Sequence, residues 1–263
     1  MITSAALCPS PPLLYPGITG RQTVVPELRA ACAEAVRRLV RGEPEVIVVV
    51  GPAGTTRTWA PASRLDPSQF APAMASTGIP SLPLSLGLGA MLLDEAQYRG
   101  RRRLQAIGQD EPPSTCVGLG AELGMSEART ALLVMGDGSA RRTLKAPGYL
   151  DPRAAALDSV VENAIRTGDL DALQQLDPIL ARELMVTGRP AWQVLSGAWH
   201  SSRPRTEILY SDAPFGVAYL VAQFQREGQD ERGFPAPCLG SASRLPVSFP
   251  GAGHGDQGDD GPG

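Results

Sequence analysis

The sequence predicts an α/β fold, a three-layer sandwich in which a mixed, mostly parallel central sheet is covered by helices on both faces. Residues 46–50 and 131–135 are continuous apolar runs, which are typical of strands buried on both sides. Residues 24–40 carry apolar side chains at helical spacing, which indicates an amphipathic helix between two strands. A strand, a helix and a second strand in succession form the basic unit of a parallel sheet.

The first half of the chain contains this unit. A strand covers the N-terminal residues and ends at Pro9, because proline cannot donate a hydrogen bond within a central ladder. The helix over 24–40 follows, and a strand over 44–52 comes after a short turn. From Ala53 to Gly78 the sequence shows no period, and a connection of this length is typical of a functional lid or a mobile segment. A short helix is predicted over 87–100.

The second half adds another buried strand and a group of helices. The strand lies within 128–139 and leads into an aspartate between two glycines. Asp151 is predicted to cap a helix that has Pro152 at its first position and that stops at Gly168. Shorter helices follow. Two closing strands are predicted within 206–225, joined around a proline and a glycine.

Composition divides the chain into one domain and a tail. Residues 1–226 have the size and the apolar patterning of a single α/β domain. Residues 227–263 are rich in glycine and proline and almost lack apolar periodicity, so this segment is predicted to be a disordered tail.

Composition also excludes several classes of function. The formal net charge is -3, without the basic excess that a nucleic-acid partner demands. There is no apolar run of about twenty residues and no signal-peptide pattern, so we expect a cytoplasmic protein without a membrane partner. The four cysteines are far apart, and the two histidines are His200 and His254. We therefore predict no metal site.

The carboxyl ends of the strands are where an open α/β sheet binds its ligand. Three segments follow predicted strands in this way, and they carry most of the polar side chains near the predicted crevice. The candidate pocket consists of Ser10, Ala53, Thr55, Asp137, Ser139, Ala140, Arg141 and Lys145.

These segments contain a set of motifs in a fixed order. They are PSPPLL at 9–14, PAG at 52–54, GDGSA at 136–140 and GYLDP at 148–152, and ILYSDAPFGVAYLVA follows at 208–222. The set is specific, whereas any one motif alone is weak. Over residues 2–222 the chain resembles the class III extradiol ring-cleavage dioxygenase superfamily, whose relatives include the Memo-like proteins.

The resemblance implies a chemistry whose residues this chain lacks. The family holds Fe(II) with two histidines and a glutamate, and a further histidine acts as acid and base. The ligand histidines correspond to Ser10 and Ala53, and the acid/base histidine to Ala140. The glutamate corresponds to Val186, with Glu183 nearby but out of register. Because a hydroxyl or methyl group cannot replace an imidazole, we predict no cofactor, although Fe(II) is expected of the family. Members of the family form dimers or pair with a small second subunit, so the resemblance also suggests a homodimer.

Three functions remain open at this stage. The first is a non-catalytic homologue that binds a small molecule or a protein through the old crevice. The second is an enzyme of altered, metal-free chemistry that uses Asp137 with Arg141 or Lys145 on an anionic substrate. The third is a true dioxygenase whose ligands come from elsewhere.

Individual residues also have two interpretations. Asp137 and Ser139 either form the polar floor of a pocket, or Asp137 caps the backbone of its own loop. The stretch of Arg141, Arg142 and Lys145 either faces an anionic ligand or is a solvated surface.

Overall fold

The computed structural model describes residues 1–16, 18, 24–70, 74, 76, 81–126, 128–199 and 203–226. These residues contain one sheet of seven strands in the order β3-β4-β2-β5-β1-β7-β6. The strands are β1 (Ile2–Cys8), β2 (Val46–Ala53), β3 (Arg57–Trp59), β4 (Arg101–Gly108), β5 (Thr130–Met135), β6 (Arg205–Asp212) and β7 (Tyr219–Gln225).

The centre of the sheet is parallel and its flanks are antiparallel. Strands β4, β2, β5 and β1 are parallel neighbours. At one side β3 pairs antiparallel with β4, and at the other β7 and then β6 continue the sheet in antiparallel pairing. The four parallel strands therefore end at the same edge, which we call the carboxyl edge.

Helices cover both faces, so the predicted fold class is confirmed. Along β1, Ala5 and Leu7 belong to one apolar core, and Ala6 and Cys8 belong to the other. This alternation follows from the period of two along a strand. The helices are α1 (Pro26–Arg41), α2 (Leu84–Glu95), α3 (Pro113–Gly124), α4 (Arg153–Thr167), α5 (Asp171–Gln174), α6 (Pro178–Glu183) and α7 (Arg189–Ala198).

The two cores use different helices. Helices α1 and α2 pack on one face, where α1 buries Leu28, Cys32, Val36 and Leu39 as its spacing predicts. Helices α3, α4 and α7 pack on the other face. The two closing strands are also confirmed, as the antiparallel pair β6 and β7.

Some elements differ from the sequence prediction. The segment without a period contains the short strand β3, and α2 begins at Leu84, earlier than predicted. Strand β4 and helix α3 were not predicted. Helix α4 begins at Arg153, and Pro152 is its N-cap, so the predicted first position is shifted by one residue. The carboxylate of Asp151 still accepts a hydrogen bond from the Arg153 backbone N–H at 2.9 Å.

Three cysteines within the described residues are free and buried, namely Cys8, Cys32 and Cys116. In the same part of the chain, no helix combines the length and the apolar character that a membrane crossing requires. The predicted tail, 227–263, lies outside the described residues, and its disorder stays a prediction.

Candidate functional site

The candidate site lies at the carboxyl edge, where β1, β5 and β2 are neighbours. The backbone N–H of Gly136, after β5, donates to the carbonyl oxygen of Cys8 at the end of β1 at 3.0 Å. The loops that begin after these two strands therefore start side by side. The PSPPLL and GDGSA motifs follow β1 and β5 at this edge, whereas PAG at 52–54 includes the last two residues of β2.

Ser10 and Asp137 are joined directly. The Ser10 backbone N–H donates to Asp137 Oδ1 at 2.6 Å, and Ser10 is only 5% exposed. The prediction that Asp137 caps its own loop is wrong in its partner, because this carboxylate oxygen binds the backbone of another loop. A short, buried bond to a carboxylate fixes the two loops relative to each other.

The Asp137 carboxyl has an unusual proton affinity. Burial raises its pKa from the ordinary value of 3.8 to about 6, and the hydrogen bond from Ser10 offsets part of this effect. Tyr219, at the start of β7, is buried, and its pKa is raised by burial and then by the negative charge of Asp137. A carboxyl group and a phenol thus lie near each other at this edge.

Ser139 and Ala140 are buried, and both form hydrogen bonds to other parts of the protein. Ser139 donates its hydroxyl to Asp158 Oδ2 at 2.6 Å, and its backbone N–H donates to Asp158 Oδ1 at 2.9 Å. Ala140 donates its backbone N–H to the carbonyl of Leu184 at 3.1 Å. Through Asp158, Ser139 therefore anchors its loop to α4.

The cationic stretch does not act as one group. Arg142 forms an ion pair with Asp158 at 3.1 Å, which ties it to α4. Lys145 is exposed, and Arg141 is half-buried. The Arg141 Nε atom is buried and has no hydrogen-bond partner among the described residues. Arg142 thus has a carboxylate partner within the protein, and the exposure of Lys145 agrees with the solvated-surface interpretation.

The second strand end is more open. Ala53 is half-buried, and its carbonyl oxygen accepts a hydrogen bond from the Gln109 backbone N–H at 3.0 Å. Thr55 is exposed. The sequence analysis did not select Thr56, which accepts from the Gly108 N–H at 2.9 Å and joins β4 to this loop.

The position that corresponds to the family glutamate is apolar and buried. Val186 is 3% exposed and belongs to the core on the α3, α4 and α7 face. Glu183 is half exposed and pairs with Arg153 at 2.8 Å, so it cannot serve as the missing ligand without leaving that partner. Thr187, which follows Val186, accepts a hydrogen bond at its side-chain oxygen from the Asp137 backbone N–H at 3.2 Å. This bond brings residues 186–187 to the carboxyl edge.

The residues do not fit an iron ion. In the described part of the chain, no group of three or more histidine, cysteine, aspartate or glutamate side chains could hold a metal. His200 and His254 lie outside the described residues. Ser10, Ala53, Ala140 and Val186 supply no imidazole and no carboxylate, so no step of a reaction is assigned to iron.

Two further features were not found by sequence reasoning. Arg189 is 1% exposed and donates to the carbonyl oxygen of Glu111 at 2.8 Å and to Gln193 Oε1 at 2.9 Å. The sequence does not indicate that Arg189, the first residue of α7, is buried, because the residue type alone does not distinguish a buried arginine from an exposed one. An open cavity of about 240 Å³ lies beside α4, and its lining includes Arg142, Asp158, Glu162, Trp192, Ser211 and Tyr219.

Comparisons with known proteins assign no family to this chain. No known protein-family model matches the chain, and no curated protein matches it. Among solved structures, the chain is similar to the crystal structure of an uncharacterized protein, JW3007, from Escherichia coli K12. The two share 13% sequence identity and a TM-score of 0.48, and the match covers 84% of this chain and 99% of that chain.

Proposed function

We propose that this chain is a class III extradiol dioxygenase-like protein that has lost the iron and acid/base chemistry and that binds a small molecule or a protein at the carboxyl edge. The observation that carries the proposal is the chemistry of four positions. In the resemblance stated above, Ser10, Ala53, Ala140 and Val186 correspond to the family's three histidines and its glutamate. None of these side chains is an imidazole or carboxylate ligand for Fe(II), and none of them gains or loses a proton near neutral pH.

The contacts around Ser10 support this proposal. Its backbone N–H is held by the Asp137 carboxylate, and Ser139 and Arg142 are held by Asp158. The loop after β1 is thus tied to the loop after β5, and the latter is tied in turn to α4. Loops held in this way present a fixed surface to a ligand, and fixed surfaces lose less entropy on binding.

Iron analysis of the full-length, untagged protein tests the proposal. We expect far less than one iron per chain after purification with added Fe(II), and no oxygen uptake when catechol is supplied. Ser10→Ala is the matched control, and its iron content should equal that of the wild type. One iron per chain together with catechol-dependent oxygen uptake would overturn the proposal in favour of a true dioxygenase with ligands from elsewhere.

A second candidate is metal-free acid/base chemistry at Asp137. The raised pKa of about 6 favours it, because a carboxyl group that titrates near neutral pH can take and return a proton. Incubation with phenolic carboxylates and phosphate monoesters, followed by mass spectrometry, separates the two functions. Conversion that the wild type performs and Asp137→Asn does not would establish the enzyme, whereas unchanged compounds would support the binding protein.

We also propose a cytoplasmic location. The free, buried thiols of Cys8, Cys32 and Cys116 support it, because thiols persist in a reducing compartment. Homodimerisation remains a proposal from the resemblance alone.

A further inference from the structure

Ser10 and Asp137 lie side by side because of the register of β1 and β5. The last pair of these parallel strands joins Cys8 to Met135. Two residues further along both chain segments, the same register brings Ser10 beside Asp137. The hydrogen bond from the Ser10 backbone N–H to Asp137 Oδ1 at 2.6 Å agrees with this placement.

Tyr219 stands on the other side of Ser10. Strand β7 runs antiparallel to β1, and Leu7 pairs with Ala222. Three residues after Leu7 and three residues before Ala222, this register brings Ser10 beside Tyr219. Ser10 therefore lies between Asp137, which follows β5, and Tyr219, which begins β7. We call these three residues the oxygen row.

The side chains of the oxygen row belong to one face of the sheet. Cys8 and Met135 are part of the apolar core on the α1 and α2 face, and Tyr219 is part of the same core. Side chains two residues apart on a strand point to the same face, which places Ser10 and Asp137 on this face as well. In agreement, the pKa of Tyr219 is raised by burial and then by the negative charge of Asp137.

Each member of the row has an oxygen atom without a partner. Ser10 Oγ, Asp137 Oδ2 and Tyr219 Oη form no hydrogen bond with any residue that the structure describes. The fully enclosed polar side-chain atoms that lack a partner lie elsewhere in the described chain, so these three oxygens keep access to solvent. Ser10 and Tyr219 are only 5% and 6% exposed. A hydroxyl group in such a place gains from a ligand that supplies the missing hydrogen bond.

The carboxylate of Asp137 has no cation beside it. Its pKa is set by burial and by the hydrogen bond from Ser10, without a contribution from any charged side chain of the described residues. Arg142, in the same loop, is paired with Asp158. Because a carboxylate that is largely removed from water is stabilised by a nearby positive charge, this position favours a cationic ligand.

We infer that the oxygen row binds a primary ammonium group that is carried by a small apolar molecule. This inference rests on the proposed binding function and names the chemical class of its ligand. A primary ammonium group has three N–H donors, and the row offers three acceptor oxygens, one of which is charged.

The apolar part of the ligand has side chains to contact beside the row. Tyr15 and Val217 are half-buried and pack against the core that contains Tyr219. Tyr15 lies five residues after Ser10, and Val217 lies two residues before Tyr219. A divalent metal ion fits the row less well, because calcium and magnesium sites use more charged oxygens than one carboxylate, or the phosphates of a substrate.

NMR titration of the full-length protein at about pH 7.5 tests the inference, with the chemical shift of the Ser10 amide as the signal. Asp137 is ionised at this pH, because its pKa is about 6. Benzylamine is compared with benzyl alcohol, benzoate and benzyltrimethylammonium. We expect benzylamine to bind at least about tenfold more tightly than each of the others, because it alone combines a positive charge with three N–H donors.

Three variants locate the binding. Asp137→Asn keeps an oxygen for the Ser10 N–H but removes the negative charge, so it should weaken benzylamine binding at least about tenfold. Tyr219→Phe removes only the hydroxyl and should weaken it about threefold to tenfold. Glu122→Gln is the matched control, because it changes an exposed carboxylate of α3 to an amide. It should bind benzylamine as the wild type does, and circular dichroism should show that all variants are folded.

Several results would overturn the inference. One is equal affinity for benzylamine and benzoate, and another is benzylamine binding that Asp137→Asn leaves unchanged. Equal affinity for benzyltrimethylammonium would also overturn it, because that cation has no N–H donor. Displacement of benzylamine by magnesium or calcium chloride, but not by sodium chloride of the same ionic strength, would overturn it in favour of a metal site.

The inference and the proposed function can fail separately. One iron per chain with catechol-dependent oxygen uptake would refute the proposed loss of chemistry, and amine binding could still be measured. Iron-free protein that does not bind benzylamine would refute the ammonium site and would leave the loss of iron chemistry standing.

Discussion

Asp137 is a carboxyl group in a place where its negative charge is costly. It follows a buried strand, and the protein around it replaces most of its water. The hydrogen bond from the Ser10 N–H replaces part of the hydration that the Asp137 carboxylate loses on burial. It therefore limits the rise of the Asp137 pKa to about 6. One residue thus combines a structural hydrogen bond with a proton that can be exchanged near neutral pH.

The raised pKa predicts how stability depends on pH. Asp137→Asn keeps an oxygen for the Ser10 N–H and removes the titration. Between about pH 4 and pH 6 the folded wild type binds more protons than the unfolded chain, because its pKa lies above the ordinary 3.8. The free energy of unfolding of the wild type should therefore fall relative to Asp137→Asn as the pH rises through this window, by roughly 3 kcal/mol at most.

Urea denaturation of both proteins at a series of pH values measures this difference. Above about pH 7 the two curves should run parallel, because Asp137 is then ionised in both states. A wild type that gains stability over the variant with rising pH would show that the pKa of Asp137 is lowered instead.

At the scale of the residue, the sequence predicted that Ser10 and Asp137 lie at one edge of the sheet, but it did not predict their contacts. The position of Ser10 and Asp137 at one edge follows from the order of strands and loops. Their hydrogen bond spans 127 residues and depends on the register of β1 against β5, which no local pattern contains. The roles of Asp158 and Arg189 were missed for the same reason, since their partners are distant in the chain.

At the scale of the element, α3 and α7 make the closest helix contact on their face of the sheet. A Cβ atom placed on Gly120 of α3 would lie 2.1 Å from the carbonyl oxygen of Val194. A Cβ atom on Gly197 of α7 would lie 2.1 Å from the carbonyl oxygen of Val117. The two helices can pack this closely because glycine, which has no side chain, stands at both contact positions.

A pair of alanine substitutions in α3 tests this contact. Gly120→Ala should destabilise the protein by about 3 kcal/mol, because its methyl group would overlap the α7 backbone. Gly118→Ala lies on the same helix with nothing within 4 Å of the added atom, and it should stabilise by about 0.5–1 kcal/mol through helix propensity. Thermal and urea denaturation of the two variants measure the effects. Equal effects of the two substitutions would contradict the close contact.

The elements that the sequence did not predict are those whose local signals are weak. Strand β4 begins with three arginines at 101–103, and its buried part, 104–108, includes the polar Gln105. Helix α3 contains Gly118 and Gly120, which lower its propensity, and its contact with α7 holds it in place. The strongly apolar strands β2 and β5 and the amphipathic helix α1 were predicted, because burial determines their sequence directly.

At the scale of the whole molecule, every strand and helix named above lies within residues 1–226. Because residues 227–263 are predicted from composition to be disordered, a chain that stops after Arg226 should unfold at the same temperature and with the same urea midpoint as the full chain. Circular dichroism during heating measures this. A marked loss of stability would show that residues 227–263 contribute to the fold, contrary to the predicted tail.

The position of β1 has a consequence for how the protein is made. β1 is synthesised first, yet its two neighbours in the sheet, β5 and β7, leave the ribosome late. At a synthesis rate of about 5–20 residues per second, the apolar side chains of β1 are without their first neighbouring strand, β5, for on the order of ten seconds. The sheet is therefore completed only after β7 has been synthesised, and until then the apolar side chains of β1 are available for non-native contacts.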